Sequence, residues 1–321
     1  MEFNTPILFL IFNRPDATAQ VFAKIREARP KQLFIAADGP RYPLKNEINL
    51  CQQARDIALQ VDWPCEVKAL FQDKNFGVGR GGVEGINWFF QHVEAGIILE
   101  DDCIPTENFF EFCSKGLKKF EDDRSVMMLA GTNYHFGKHK DLQGFYRSKH
   151  YAIWGWATWR RAWRLYSYDI ALWEKELTFR DVKRFFGSTL IAQRWAKIFD
   201  DIKCHRLEAW DAQWIYACVK NKATSISLTS NMIANIGYFG GHAGGVITQF
   251  HEMPYQGGDV EKSLKTELSS KESFVLDMET YNRIGFLDKE SMHKSLGRAV
   301  MRKLPFLKKV YECVKRFQKI S

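Results

Sequence analysis

The sequence predicts an α/β fold with a mostly parallel sheet flanked by helices. Three observations carry this: short apolar runs without polar alternation, amphipathic helical stretches between them, and Asn, Asp, Gly or Pro clusters where the runs end. Pro6 to Phe12 is such a run and reads as a strand buried on both faces. Asn13-Arg14-Pro15 closes it, and Asp16 or Thr18 can cap a helix to about Ala28 with Val21, Phe22 and Ile25 turned inward. Gln32 to Ala37 is a second strand, ended by the turn sequence Asp38-Gly39-Pro40. A helix from about Lys45 to Val61 and a strand from Glu66 to Phe71 repeat the alternation. Asn75 to Gly82 is glycine-rich and reads as a loop leading into a helix from Val83 to Val93, before a buried strand at Ala95 to Leu99.

After a further strand at Ser125 to Gly131 the composition changes. Tyr151 to Trp173 is crowded with aromatics; Trp156, Trp159 and Trp163 recur at helical spacing and read as a core stripe. Trp154, just before Gly155, could instead offer a stacking face to a sugar ring. Asp211 to Lys220 reads as a helix and Thr224 to Leu228 as a strand, followed by the glycine-rich run Asn235 to Gly245. Residues 251–293 read as a loosely organised connection. The expected organisation is 1–131 as one half and 132–250 as the other half of a single domain, then the 251–293 connection and a separate tail at 294–321.

Charge is distributed unevenly. The chain of 321 residues has 46 Lys and Arg against 38 Asp and Glu, a net +8. From Lys294 to Ser321 there are nine basic residues and one acidic residue, Glu312, so this tail carries the whole excess and the body is neutral. A neutral body without a recognition motif disfavours nucleic-acid binding. At 45% hydrophobic residues the body can bury a full core. The longest apolar run is too short to span a bilayer and lacks the charged flank of a signal peptide, so a cytoplasmic location is expected. Seven scattered cysteines without a CxxC pair read as reduced thiols.

The strongest chemical signal is Glu100-Asp101-Asp102, three acids at the end of an apolar strand, where ligands of open α/β sheets bind. Clustered carboxylates repel one another and gain by recruiting a hard cation such as Mg²⁺ or Mn²⁺, which can bridge to phosphate oxygens. The plainer alternative is a solvated acidic turn ahead of a helix starting near Thr106. Arg80 could reach a phosphate from the glycine-rich segment, and His242 could ligate metal or diphosphate from the later one.

Taken together, these blocks resemble the GT-A nucleotide-sugar glycosyltransferases, particularly the N-acetylglucosaminyltransferase I type and its bacterial relatives. The resemblance runs from Pro6 to about Ala243 and rests on the order of Asn13-Arg14-Pro15, Asp38, Glu100-Asp101-Asp102 with Phe109-Phe110, and Trp210-Asp211. It implies a GT-A, Rossmann-like fold with a Trp-rich acceptor side. It also implies a nucleotide site formed by Asn13, Arg14, Asp38, Arg80, Glu100 and Asp101, with a Mn²⁺ or Mg²⁺ ion on Asp102 and His242. Asp211 would be the catalytic base, although the family's eukaryotic members carry two adjacent acids where this chain has Asp211-Ala212; the plain reading is that Asp211 opens its helix. The implied activity is metal-dependent, inverting transfer from a UDP-sugar to a glycan or lipid-linked glycan hydroxyl. The alternatives are a nucleotidyltransferase and a non-catalytic nucleotide- or glycan-binding scaffold at the membrane. A haloacid dehalogenase-type phosphatase would need Asp-x-Asp-x-Thr, which Asp101-Asp-Cys-Ile-Pro105 does not supply.

The tail has its own logic. After Pro305, Leu307, Val310, Tyr311, Val314, Phe317 and Ile320 recur three or four apart between lysines and arginines, the pattern of an amphipathic helix on an anionic membrane surface or packed on a partner. Deleting Lys294–Ser321 should abolish sedimentation of the protein with anionic lipid vesicles; retained binding would place membrane affinity elsewhere.

Overall fold

The computed structural model describes residues 3–42, 44–139, 142–237 and 258–287. The chain begins with β1 (Ile7–Ile11), α1 (Pro15–Ala28), β2 (Gln32–Ala37), α2 (Lys45–Ala58), β3 (Glu66–Phe71), α3 (Gly77–His92) and β4 (Ala95–Glu100). It continues through β5 (Cys103–Pro105), α4 (Glu107–Lys119), β6 (Val126–Ala130), β7 (Phe145–Ser148), β8 (Trp156–Trp159) and the helical turn α5 (Arg160–Trp163). Helices α6 (Trp173–Glu176), α7 (Phe179–Phe186), α8 (Thr189–Lys203) and α9 (Asp211–Lys220) precede β9 (Thr224–Leu228) and β10 (Ile233–Asn235). Helices α10 (Val260–Lys265) and α11 (Ser270–Arg283) complete the described part.

Eight strands form one sheet in the order β3-β2-β1-β4-β8-β6-β9-β7, and β10 pairs with β5 in a small second sheet. Strands β3, β2, β1 and β4 are parallel, as the alternating pattern predicts. The parallel arrangement gives way beyond β4, where β8 pairs antiparallel with both β4 and β6. The α4 crossover leaves a gap between β4 and β6 one strand wide, and the chain returns to fill it with β8. One further antiparallel strand, β7, edges the sheet beside β9.

Along its central strands the sheet is buried on both faces, while the edge strand β3 is exposed or half-buried along its length. Ile7, Phe9 and Ile11 point into one core with Leu33, Ile35, Ile97, Leu99 and Phe109, while Leu8 points into the other with Phe34, Ile98, Phe89 and Trp156. This accounts for the unbroken apolar runs, since a residue facing either way meets helix. The tryptophan stripe is resolved differently from the helical expectation. Trp156 and Trp159 lie on β8, and three residues along a strand is an odd number of steps, so they enter opposite cores. Only Trp163 sits on the short α5. All three are buried, as a core reading requires.

Other boundaries shift for identifiable reasons. Helix α1 begins at Pro15, whose fixed φ suits a first helical position, so neither Asp16 nor Thr18 is the cap; Thr18 Oγ1 donates back to Arg14 O instead. Helix α2 ends at Ala58 rather than Val61. The glycine-rich run is helical from Gly77 onward, not a loop up to Gly82. Its glycines permit close approach: a Cβ on Gly81 would stand 2.8 Å from Asp38 Oδ2, and one on Gly85 2.8 Å from Leu10 Cδ2. The described part of the segment expected to be a loose connection holds α10 and α11, each opened by a capping side chain, Asp259 and Ser269. The tail at 294–321 and most of the second glycine-rich run lie outside the described residues. Among those described, the six cysteines are unpaired and no helix is long and apolar enough to cross a membrane.

Helix α11 is pinned by a buried acid. Asp277 accepts from Ser148 Oγ and, at 2.8 Å, from Lys149 N. Burial pushes its carboxyl up from the ordinary 3.8 to about 7, against the pull of those hydrogen bonds. The folded state therefore favours the protonated acid, and this contribution to stability is fully present below about pH 4 and lost as pH rises through about 7. Asp277→Asn, which keeps the shape without the charge, should flatten the decline in urea-unfolding stability across that window. An unchanged slope would remove Asp277 from the account.

Candidate active site at the C-terminal edge of the sheet

The carboxyl ends of β1, β2 and β4 lie side by side, because Leu10 pairs with Glu100 and Ile11 with Ala37. The sequence-expected residues Arg14, Asp38, Glu100, Asp101 and Asp102 follow directly from these strand ends, which is where such sheets bind ligands. Asp101 and Asp102 turn back toward the end of β1. Phe12 N donates to Asp101 Oδ2 at 3.2 Å. Arg14 spans both acids, with Nη2 on Asp101 Oδ1 and Nη1 on Asp102 Oδ2 at 2.8 Å.

Asp102 is enclosed from the other side by the β5–β10 pairing, which sets Asn235 opposite Cys103. Ile236 N donates to the Asp102 carbonyl at 2.9 Å, and Cys103 Sγ and Asn235 Nδ2 approach Asp102 Oδ1 at 3.3 and 3.5 Å. Gly237 lies so close that a Cβ there would run into Asp102 Oδ2 and stand 2.9 Å from Arg14 Nη1. Asn235 and Gly237 were not singled out from sequence as site residues; the Asn-x-Gly pattern ahead of a glycine-rich run is the signal that could have marked them.

Burial, then the Asp102 and Asp101 charges, raise the Glu100 carboxyl, and the Asp211 charge adds to this. Burial pushes Asp101 up to about 6, with Arg14 opposing. For Arg14 burial works against the charged form, but its two carboxylate partners outweigh it and the guanidinium is held more firmly protonated than usual.

Asp211 reaches the same locality from the far half of the chain, and tryptophan packing puts it there. Trp156 lies opposite Ile98 on β4 and stacks on Trp210 at 6.0 Å between ring centroids, while Trp210 also rests against Gly82 of α3. Trp210 directly precedes α9, so Asp211, its first residue, is set near the end of β4. Its carboxyl is raised by burial, opposed by backbone hydrogen bonds at the helix start. A raised carboxyl is a stronger proton acceptor once ionised.

Asp38 and Asn13 are placed differently. The Asp38 carboxylate accepts from Gly39 N, Phe76 N, Gly77 N and Asn75 Nδ2, all at 2.8–3.1 Å, and so closes the start of α3. Burial raises it and these donors lower it, burial being the larger effect. The Asn13 amide turns away to Glu47, a buried acid that also takes Arg41 N and Nε, and that sequence reasoning missed for want of any motif. Arg80 is exposed, with Cζ 5.3 Å from the Tyr168 ring centroid. Trp154 is half-buried, edge-on to Tyr134 at 5.4 Å. His242 lies outside the described residues.

The expected Mn²⁺ or Mg²⁺ ion can be tested against this geometry. Among the described residues no group of three or more His, Cys, Asp or Glu could hold a metal ion. Each carboxylate oxygen of Asp101 and Asp102 already faces a donor, and Gly237 crowds Asp102. As arranged, Asp101 and Asp102 are held by Arg14 and not turned to a shared cation position, while His242, the other expected ligand, is outside the described residues.

No protein-family model and no curated protein matches the chain. Among solved structures it is similar to a UDP-glucose pyrophosphorylase complexed with UDP-glucose, at 8% identity and a TM-score of 0.29, over 50% of this chain and 78% of that one. A UTP-bound UGPase from Acinetobacter baumannii matches at 8% and 0.35, over 73% and 89%, and mouse xyloside xylosyltransferase 1 in apo form at 11% and 0.31, over 67% and 81%. Likenesses this distant do not decide the chemistry; the finer resemblance to the N-acetylglucosaminyltransferase I type rests on sequence motifs alone.

The Asp38 geometry has a measurable consequence. Asp38→Ala strips the start of α3 of its acceptor and should cost about 2 kcal/mol in urea unfolding. Stability unchanged by the substitution would mean that water replaces the carboxylate without loss.

Proposed function

We propose that this chain is a glycosyltransferase that moves a sugar from a nucleoside diphosphate sugar, a UDP-sugar by the resemblance, to a hydroxyl of a glycan or lipid-linked glycan. The observation that carries the reading is convergence. Asp211, from the aromatic half, adds to the raising of the Glu100 carboxyl, and Glu100 directly precedes Asp101 and Asp102, which Arg14 bridges at the carboxyl edge of the sheet. A transferase acting by direct displacement needs these two parts together, a carboxylate for the acceptor proton and hydrogen-bond donors for the leaving diphosphate.

The chemistry follows from the groups present. The acceptor hydroxyl gives its proton to the Asp211 carboxylate as its oxygen bonds to the anomeric carbon. The bond from that carbon to the diphosphate oxygen breaks, and the electron pair leaves with the diphosphate. Arg14, whose charge is balanced by Asp101 and Asp102, keeps one guanidinium face toward solvent from which it can donate hydrogen bonds to the diphosphate oxygens. A single displacement of this kind inverts the anomeric centre. A nucleotidyltransferase would want a glycine-rich, basic turn directly after the first strand, whereas β1 runs through Asn13-Arg14-Pro15 straight into α1. The basic tail would bring the enzyme to an anionic membrane where lipid-linked acceptors lie.

Nucleoside diphosphates and their sugars should raise the melting temperature of the full chain, UDP compounds most. Asp211→Asn should keep that shift yet lose about 100-fold or more in sugar transfer or donor hydrolysis, read as UDP release. Indifference to every nucleoside diphosphate, or a fully active Asp211→Asn protein, would overturn the assignment; conversion of UTP and a sugar phosphate to a nucleotide sugar would favour the nucleotidyltransferase.

A further inference from the structure

We infer that Arg14 is the resident cation of the Asp101–Asp102 pair, occupying the place a divalent ion would take, so that guanidinium and metal exclude one another. Three independent features support this. The guanidinium spans the two acids through separate nitrogens, meeting Asp102 Oδ2 at 2.8 Å. The remaining carboxylate oxygens are also engaged, Asp101 Oδ2 by Phe12 N at 3.2 Å and Asp102 Oδ1 by Cys103 Sγ at 3.3 Å, so a hard cation that demands several oxygen ligands would compete with a donor at every one of them. Finally, the Gly237 backbone closes the Asp102 side so tightly that no side-chain carbon fits there.

Arg14 is also held in place by its backbone. It stands immediately before Pro15 at the start of α1, and its carbonyl accepts from both Thr18 N and Thr18 Oγ1 at 2.9 Å. Its side chain is 35% exposed against 3% for Asp101 and 11% for Asp102, so the acids are covered while the guanidinium keeps one face toward solvent. A planar, permanently charged fork suits two carboxylates at once, and lysine does not reproduce it. A divalent ion at these acids would have to drive Arg14 out or lie against it as a like charge.

The inference concerns the cation alone and holds whatever nucleotide chemistry the site performs, so its test uses Mn²⁺ and no nucleotide. Mn²⁺ is titrated into the full chain and followed by loss of the free-ion electron paramagnetic resonance signal. Arg14→Gln should bind Mn²⁺ at least 10-fold more tightly than the unmodified protein, and adding Asp102→Asn to that variant should remove the gain. Arg14→Lys, which covers one acid at a time, should fall between them. In the otherwise unmodified protein Asp102→Asn should leave Mn²⁺ uptake as it was, a measurement that stands even if Arg14→Gln fails to fold. Equal Mn²⁺ affinity with and without Arg14, a gain that survives Asp102→Asn, or loss of uptake on Asp102→Asn alone would overturn the proposal.

Discussion

The site depends on keeping adjacent carboxylates together at the end of one strand. Glu100, Asp101 and Asp102 follow each other in sequence, and burial makes their mutual repulsion harder to screen. Arg14 answers it, and its position is a consequence of the sheet. Because β1 and β4 are parallel neighbours in register, the residues after β1 necessarily stand beside the residues after β4. Three further supports converge on the same acids: Phe12 N just after β1, Ile236 N just after β10, and the missing side chain of Gly237. Removing the guanidinium would leave covered charges without a partner, the costly case for a buried ion pair.

The second half of the site is positioned by packing instead of charge. The antiparallel strand β8 inserts Trp156 against β4, and Trp156 stacks on Trp210 and meets Trp214 at 5.7 Å and Trp163 at 6.2 Å. These large, rigid side chains lose little conformational freedom when buried, so they define the start of α9 closely. Asp211 inherits its place from that cluster. Its proximity to Glu100 is thus a product of the strand order, in which a strand from the later part of the chain lies between β4 and β6.

The glycine-rich segment illustrates how a phosphate-like pattern can serve another end. A helix start with exposed N–H groups is an anion site in waiting. Here the anion is supplied internally, since Asp38 takes the N–H groups of Phe76 and Gly77. The glycines let the helix lie against Asp38 and against Leu10 of β1. The nucleotide-contact role that the resemblance implies for Asp38 therefore competes with a structural one that the carboxylate already performs.

Much of the fold was legible from sequence. The runs at Ile7–Ile11, Gln32–Ala37, Glu66–Phe71 and Thr224–Leu228 and the helix at Asp211–Lys220 follow from periodicity and punctuation, which are local properties of neighbouring side chains. So does the placing of three acids at a strand end. What local pattern does not contain is which distant segments meet. The antiparallel β8, the reassignment of Trp156 and Trp159 from helix to strand, the helical start at Gly77 and the turning of Asn13 to Glu47 all depend on contacts between residues far apart in the chain. The same holds for the site: its acids could be named from sequence, but that Arg14 bridges two of them while Gly237 closes the remaining side was decided by strand order and packing, because ion pairing acts through space and not along the chain.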